Sequence, residues 1–144
     1  MKNQSPLKTV LLFMRITVFA VMLVWTLDKF IRPEHAASVY ENFYFLGGLG
    51  DALIYVIGAV ELVVILAFFL GVMKRFTYGV VLVLHAISTL SSFKQYLNPY
   101  EGPNILFFAA WPMLAACIAL YVLRDEDSLF TLGKTQEHRE LRNR

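Results

Sequence analysis

Four long apolar runs dominate this chain of 144 residues and restrict the folds that it can adopt. The runs cover residues 9–27, 52–73, 76–93 and 105–123. A helix needs roughly 20 apolar residues to cross the ~30 Å hydrocarbon core of a bilayer. The composition agrees, since 58% of the residues are hydrophobic and 17% are charged, whereas a soluble domain has about 25% charged residues. We therefore expect four transmembrane helices.

The predicted fold is an all-α membrane protein, an antiparallel four-helix transmembrane bundle with a short interfacial helix in its first outer loop. Only Lys74 and Arg75 separate the second and third spans, which makes these two helices antiparallel neighbours. Proline favours the first turn of a helix, and Pro33 precedes a stretch rich in aromatic residues. A short helix is therefore expected from about Glu34 to Phe45, at the level of the lipid headgroups.

The distribution of Lys and Arg predicts the orientation of the transmembrane domain, residues 9–123. Positive residues are enriched in cytoplasmic loops. The side that holds both termini has nine of them, Lys2, Lys8, Lys74, Arg75, Arg124, Lys134, Arg139, Arg142 and Arg144. The opposite side has three, Lys29, Arg32 and Lys94. We expect a protein of the bacterial inner membrane with a cytoplasmic N-terminus (1–8) and a polar, loosely ordered cytoplasmic tail (124–144).

Three ionisable residues lie within the predicted spans, namely Arg15, Glu61 and His85. A charge near the bilayer centre costs roughly 2.5–3.5 kcal/mol on insertion scales, so such residues usually face the protein interior and have partners. At a rise of 1.5 Å per residue, they lie ~9, ~18 and ~14 Å from the cytoplasmic ends of their helices. The three side chains are therefore expected to form a buried polar core.

The third predicted span also has a polar stripe on the same face as His85. At 100° per residue, this stripe faces the bundle interior. On the first span, Lys29 lies on the same face as Arg15, towards the outer side. The possible cavity-lining residues are Lys29, Tyr78, Ser88, Thr89, Ser92 and Tyr96.

Each of these residues has a structural explanation beside a functional one. Arg15 and Glu61 are expected either to form an ion pair that fixes helix register or to handle protons or a ligand. A third possibility is that Arg15 extends towards the interface without a partner. His85 is either a hydrogen-bonded core residue or a ligand contact. The Ser and Thr hydroxyls are either links between helices or substrate contacts.

Several classes of chemistry find no support in the sequence. A single cysteine, Cys117, excludes an intramolecular disulfide and dithiol redox chemistry. His85 is the one histidine within a predicted span, so a haem with two histidine ligands at membrane depth is not expected, and no metal site is predicted. The charges cluster at span ends and in the tail, which gives no nucleic-acid-binding patch.

The sequence resembles the DoxX family of small four-helix bacterial membrane proteins over roughly residues 9–123. The matching features are Arg15 followed by "LDKFIRP", then Glu61, Gly71 and the basic pair after it. The family includes DoxD-like subunits linked to thiosulfate oxidation with quinone as electron acceptor, and members tied to oxidative-stress redox. The resemblance implies that Arg15, Lys29 and Glu61 occupy motif positions.

The resulting expectation is a redox-linked or quinone-associated membrane subunit, with no cofactor motif in the sequence and a quinone-like ligand possible. Glu61 and His85 would exchange protons, and Arg15 would tune their charge. The alternative is a non-catalytic scaffold or assembly subunit of a membrane complex. Expected partners are the lipid bilayer and either another membrane protein or a second copy of the chain. A small transporter is a weaker reading, because four spans enclose only a narrow path.

Overall fold

The structure is a computed structural model that describes residues 6–133. Within this range the chain is all-helical and has no strand, which confirms the predicted all-α class. Six α-helices and one 3₁₀ helix follow in order: α1 (Pro6–Ile31), α2 (Pro33–Tyr44), α3 (Asp51–Phe69), α4 (Lys74–Ser91), α5 (Phe93–Leu97), the 3₁₀ helix (Asn104–Ala109) and α6 (Ala110–Val122). Residues 1–5 and 134–144, parts of the predicted N-terminal segment and tail, lie outside the described range.

Three segments between residues 6 and 133 are long and apolar enough to cross a membrane. They are α1, α3 and the continuous segment Asn104–Val122, with mean hydropathies of 2.3, 2.6 and 2.2. The predicted third span, residues 76–93, corresponds to α4 and is not among them. Its first turn carries Lys74 and Arg75 and its interior carries His85, which lowers its average hydropathy. That α4 also crosses the bilayer therefore stays a prediction.

The helix α1 lies antiparallel to α3, and a glycine permits their close approach. Thr26 is opposite Glu61, and Lys29 is opposite Gly58, where an added Cβ would lie 3.2 Å from the Lys29 Cβ and 2.9 Å from the Phe30 ring. On the other side of the molecule, α4 packs against α6. Buried apolar side chains from all four helices meet between these pairs, including Leu11, Val18, Ile65, Phe68, Val81, Cys117 and Leu120.

A tight turn at residues 70–73 joins α3 to α4. The sequence predicts a second span that continues to Met73 and a hairpin of Lys74 and Arg75, but in the structure these two basic residues begin α4. Gly71 has a φ of 64° and Met73 a φ of 48°, both in the left-handed region. Glycine adopts this conformation at little cost, and the methyl-bearing side chain of Thr131 packs closely against Gly71. We call this end of the molecule the inner end, and the end at which α2 lies the outer end.

The short helix predicted in the first outer loop is present as α2. Its location at a lipid interface stays a prediction. Arg32 breaks α1 from α2, and Pro33 is the first residue of α2. Asp28 lies 2.5 Å from Arg32 Nη2 and 2.6 Å from His35 Nδ1, so it links the two helices across the break. The helix ends at Tyr44, and the next residue, Phe45, has a left-handed φ of 59°.

The segment after α6 differs from the loosely ordered tail that its polar composition predicts. Between Leu123 and Gly133 the chain folds back across the inner end, where the Leu132 amide donates to the Leu70 carbonyl at 2.8 Å. Asp127 is fully buried there. The polarity of this stretch therefore reflects an internal ion pair as well as exposed residues, and a reading based on composition alone cannot separate the two.

Candidate functional site

Two separate ion pairs replace the predicted contact between Arg15 and Glu61. Arg15 Nη1 lies 2.9 Å from Asp127 Oδ2, and Lys29 Nζ lies 3.0 Å from Glu61 Oε2. The helix register explains the difference. Because Thr26 is level with Glu61 and Lys29 with Gly58, Arg15 is level with the α3–α4 turn, ~16 Å along the axis from Glu61. Neither side chain spans that distance, so the predicted Arg15–Glu61 pair is wrong.

The inner cluster consists of Arg15, Lys74, Tyr78 and Asp127. Tyr78 donates its hydroxyl hydrogen to Asp127 Oδ2 at 2.7 Å, and Arg15 Nη1 lies 3.4 Å from the same hydroxyl oxygen. Arg15 Nη2 donates to the Leu129 carbonyl at 2.6 Å, and Lys74 donates to the Asp127 carbonyl. Within residues 6–133, only Arg15 Nε and Asp127 Oδ1 of these polar groups are buried without a partner.

The inner cluster has the properties of a structural clamp. Arg15 and Asp127 are 1% and 0% exposed, so both charges are removed from water. Such a pair needs further hydrogen bonds to offset the cost of desolvation, and the Tyr78 hydroxyl and two backbone carbonyls supply them. The cluster connects α1, α4 and the segment after α6.

The outer cluster consists of Thr26, Lys29, Tyr40 and Glu61. The Thr26 hydroxyl lies 2.9 Å from Glu61 Oε1, and Lys29 Nζ lies 5.9 Å from the centre of the Tyr40 ring. The side chains of Lys29 and Glu61 are 9% and 11% exposed, so the pair is largely but incompletely covered. These residues bring an ammonium donor, a carboxylate and a phenol together beneath α2.

Tyr40 stays protonated at physiological pH. Burial raises the pKa of its hydroxyl to about 12, and the negative charge of Glu61 adds to the effect. Desolvation disfavours the charged phenolate, and a nearby carboxylate repels it. Tyr40 is therefore a hydrogen-bond donor over the whole range in which the protein works.

His85 connects α4 to α6 and does not join either ion pair. Its Nε2 lies 3.0 Å from the Ala110 carbonyl oxygen, which can only accept, so Nε2 carries hydrogen in this arrangement. Thr89 donates to the His85 carbonyl at 2.8 Å. Within the described residues, no hydrogen bond links His85 to Arg15 or Glu61. The geometry matches a core histidine, one of the two readings that the sequence left open.

The remaining residues of the predicted stripe are divided between local and packing roles. Tyr78, Thr89 and Ser92 are buried, and Ser88 and Tyr96 are half-buried. Ser92 donates to the Ser88 carbonyl at 3.1 Å, a bond within the helix. The Tyr96 ring packs on Phe108 and Trp111, and its buried hydroxyl has no partner between residues 6 and 133. Among the predicted cavity-lining residues, Tyr78 belongs to the cluster of Arg15, and Lys29 belongs to the cluster of Glu61.

The sequence reasoning missed Asp127, Thr26, Lys74 and the position of Tyr40. Asp127 is the third of three consecutive acidic residues in "RDED", a pattern typical of an exposed turn. The available signal was the need for a carboxylate near Arg15, but it does not distinguish Asp127 from its two neighbours. Thr26 lies one turn before Lys29 on α1, and it contacts the carboxylate of the outer cluster.

The described part of the chain contains no set of ligands for a resident metal ion. No three His, Cys, Asp or Glu side chains between residues 6 and 133 are arranged to hold one. The outer cluster offers different chemistry. Lys29 and Tyr40 present hydrogen-bond donors of the kind that carbonyl oxygens accept, and Glu61 provides a group that can exchange a proton.

Comparison of the chain with models of protein families, with curated proteins and with solved structures finds no match in any of the three. The resemblance to the DoxX family therefore rests on its sequence motifs. Two of their positions, Lys29 and Glu61, form one ion pair, whereas Arg15 belongs to the other cluster.

Proposed function

We propose that this protein is a DoxX-like, four-span protein of the bacterial cytoplasmic membrane, with both termini inside, that serves as a redox-linked subunit. Its outer cluster would bind the polar head of a quinone-like ligand. The observation that carries this proposal is the Lys29–Glu61 pair, 3.0 Å apart, largely buried and held by Thr26 beside Tyr40. Ion pairs at such positions in membrane proteins often mark ligand or proton pathways.

The surface of the helices supports insertion in a bilayer. Large apolar side chains are exposed on α1, α3 and α6, among them Val24, Val60, Val63 and Val122. On α4 the residues opposite the polar stripe, Val83, Ile87 and Leu90, are likewise exposed. An apolar outer face with a polar inner face is the pattern expected of a helix that spans lipid and packs against protein. This pattern supports α4 as the fourth span.

The outer cluster offers hydrogen-bond donors of the type that the ring oxygens of a quinone accept. A quinone bound there would supply two-electron redox chemistry, with electrons from a partner subunit. Lys29 Nζ and the Tyr40 hydroxyl would donate hydrogen bonds to the ring oxygens. Glu61 would hold a proton at its carboxylate and pass it to the ligand site, while the apolar helices around the cluster exclude water.

The test is the ligand content of the protein purified in a mild detergent. Extraction and mass spectrometry should find a quinone bound to the wild-type protein in near-stoichiometric amount. Glu61→Gln should lose most of it, because the neutral amide removes the ion pair that positions Lys29. Glu101→Gln is the matched control, since Glu101 is exposed in the second outer loop and should leave the ligand bound. A wild-type protein without quinone would contradict the proposal.

The second candidate is a non-catalytic scaffold or assembly subunit, and the inner cluster favours it. That cluster consists of a buried ion pair whose role is to hold three parts of the chain together. A scaffold would co-purify with a membrane partner in fixed stoichiometry, and the complex would keep full activity after His85→Ala and after Glu61→Gln. Loss of activity in the Glu61 variant, with the complex intact, would exclude this role.

A further inference from the structure

An apolar groove lies on the lateral surface of α4, where Tyr121 of α6 borders it. Phe76, Gly79, Val83 and Tyr121 are among the residues that line it, and its volume is about 510 Å³. Ligand sites typically have volumes of ~300–1,000 Å³. Because its lining residues Phe76 and Val83 are exposed, the groove opens to the surroundings of the helices, which are lipid in a spanning protein.

A glycine in α4 and the ring of Tyr121 meet along the groove. A Cβ added at Gly79 would lie 3.3 Å from Cε2 of Tyr121, so the glycine lets the aromatic ring pack directly against the α4 backbone. A larger residue at this position would press on the ring and change the surface of the groove. The groove is therefore a shallow apolar surface of α4, bordered by one aromatic ring, against which a flexible apolar chain can lie.

The inner end of the groove is basic. Arg75 lines it in the first turn of α4, where the positive end of the helix dipole also favours an anion. Arg124 is held at the same end, since its Cζ lies 4.9 Å from the Tyr121 ring centre and its Nη1 donates to the Tyr121 carbonyl at 2.7 Å.

The two arginines keep their charges available. Among the described residues, neither Arg75 nor Arg124 forms an ion pair. The neighbouring Lys74 is engaged with the carbonyl of Asp127. Asp125 and Glu126 are exposed close to Arg124 in the sequence and do not pair with it. Within residues 6–133, two guanidinium groups without an ion-pair partner therefore lie at one end of an apolar groove.

We propose that this groove binds an anionic phospholipid. One acyl chain lies along Gly79 and Val83, and the phosphate contacts the guanidinium groups of Arg75 and Arg124. Basic pockets between transmembrane helices on the cytoplasmic side recognise anionic headgroups in this way. The orientation predicted from the basic residues places this end at the cytoplasmic leaflet. The lipid site requires that α4 and α6 face lipid, but it does not depend on quinone binding at the outer cluster.

The experiment is native mass spectrometry of the full chain in a mild detergent, with phosphatidylglycerol and phosphatidylcholine of identical acyl chains added in turn. The wild-type protein should retain phosphatidylglycerol in preference. Arg75→Gln should weaken its binding about fivefold, because one basic residue near an anionic lipid contributes that much. Lys94→Gln is the matched control. Lys94 is exposed at the outer end, so its loss should leave the preference unchanged.

The groove itself is tested by filling it. Val83→Trp introduces a bulky side chain at an exposed position, and Gly79→Leu places a side chain against the Tyr121 ring. Both variants keep the two arginines and should reduce binding of either lipid, with unchanged helix content by circular dichroism in at least the Val83 variant. Equal retention of both lipids by the wild type, or an equal loss after Lys94→Gln, would overturn the proposal. Unchanged binding in a folded Val83→Trp protein would do the same.

Discussion

At the residue scale, Arg15 and Asp127 depend on each other. Both are removed from water, and the Tyr78 hydroxyl and the Leu129 carbonyl complete their hydrogen bonds. A buried charge that loses its partner has neither water nor a counter-charge to stabilise it. The attraction between the two charges therefore adds little to the stability of the protein. The larger effect is the loss of stability when one member of the pair is removed.

Asp127→Asn should lower the free energy of unfolding by about 3–5 kcal/mol, the usual cost of breaking a buried pair. The measurement is the thermal unfolding midpoint in detergent. Asp125→Asn is the control, because Asp125 carries the same charge two residues away and is exposed. Equal midpoints for the two variants would show that the Arg15–Asp127 pair does not stabilise the protein.

Double-mutant cycles can measure which of the motif residues interact with each other. Lys29→Met and Glu61→Gln should show a coupling energy of roughly 0.5–3 kcal/mol, because the two side chains are in contact. Arg15→Met and Glu61→Gln should be additive within ~0.5 kcal/mol, since they lie in different clusters. Unfolding in detergent gives both values. A coupling between Arg15 and Glu61 as large as that between Lys29 and Glu61 would contradict the two-cluster arrangement.

The sequence predicts which polar residues face inward better than it predicts their partners. The stripe of His85 and Thr89 follows from helical periodicity, and both residues are buried. The partner of Arg15 does not follow from the sequence, because a shift of one helix against another by a few residues changes every contact between them. That shift depends on packing at residues such as Gly58, whose importance no local pattern reveals.

At the element scale, the helices follow from apolar length and turn chemistry. The start of α2 at Pro33 agrees with the sequence, whereas the α3–α4 turn lies at residues 70–73 and not at the basic pair that follows. The fold of the segment after α6 does not follow from the sequence. That segment has no apolar periodicity, and its position depends on two distant groups, Arg15 and the Leu70 carbonyl.

Removal of the segment after α6 should loosen the helix core, and Cys117 provides a built-in reporter. Cys117 is the single cysteine of the chain and is 2% exposed. A chain that ends at Arg124 loses Asp127 and the contacts of Leu129 and Leu132, so a small maleimide should label Cys117 several-fold faster.

The matched control is a chain that ends at Gly133, which keeps every contact described for this segment. Its labelling rate should equal that of the full chain. Slow labelling of Cys117 in the chain that ends at Arg124 would show that the segment does not close the inner end.

At the scale of the whole molecule, the number of spans decides on which side each loop lies. Tyr100, in the second outer loop, is 90% exposed, and Met73, in the α3–α4 turn, is 68% exposed. Each is replaced by cysteine in a Cys117→Ala background. In intact cells an impermeant maleimide should label Tyr100→Cys and should label Met73→Cys only after the inner membrane is permeabilised.

This pair of positions distinguishes four spans from three. If α4 crosses the bilayer, the two cysteines lie on opposite sides. If α4 lies along the surface, they lie on the same side and both respond alike to the reagent. Equal labelling before permeabilisation would therefore contradict the four-span topology.

The separation of Arg15 and Asp127 along the chain has a consequence for biosynthesis. A ribosome completes α1 first, so Arg15 is synthesised long before its partner exists. Asp127 is synthesised only after α6, and it then neutralises the charge of Arg15 in α1. A nascent chain that stops short of Asp127 retains an unpaired arginine among apolar helices. The inner end of the molecule can therefore close only after synthesis of the chain has passed Asp127.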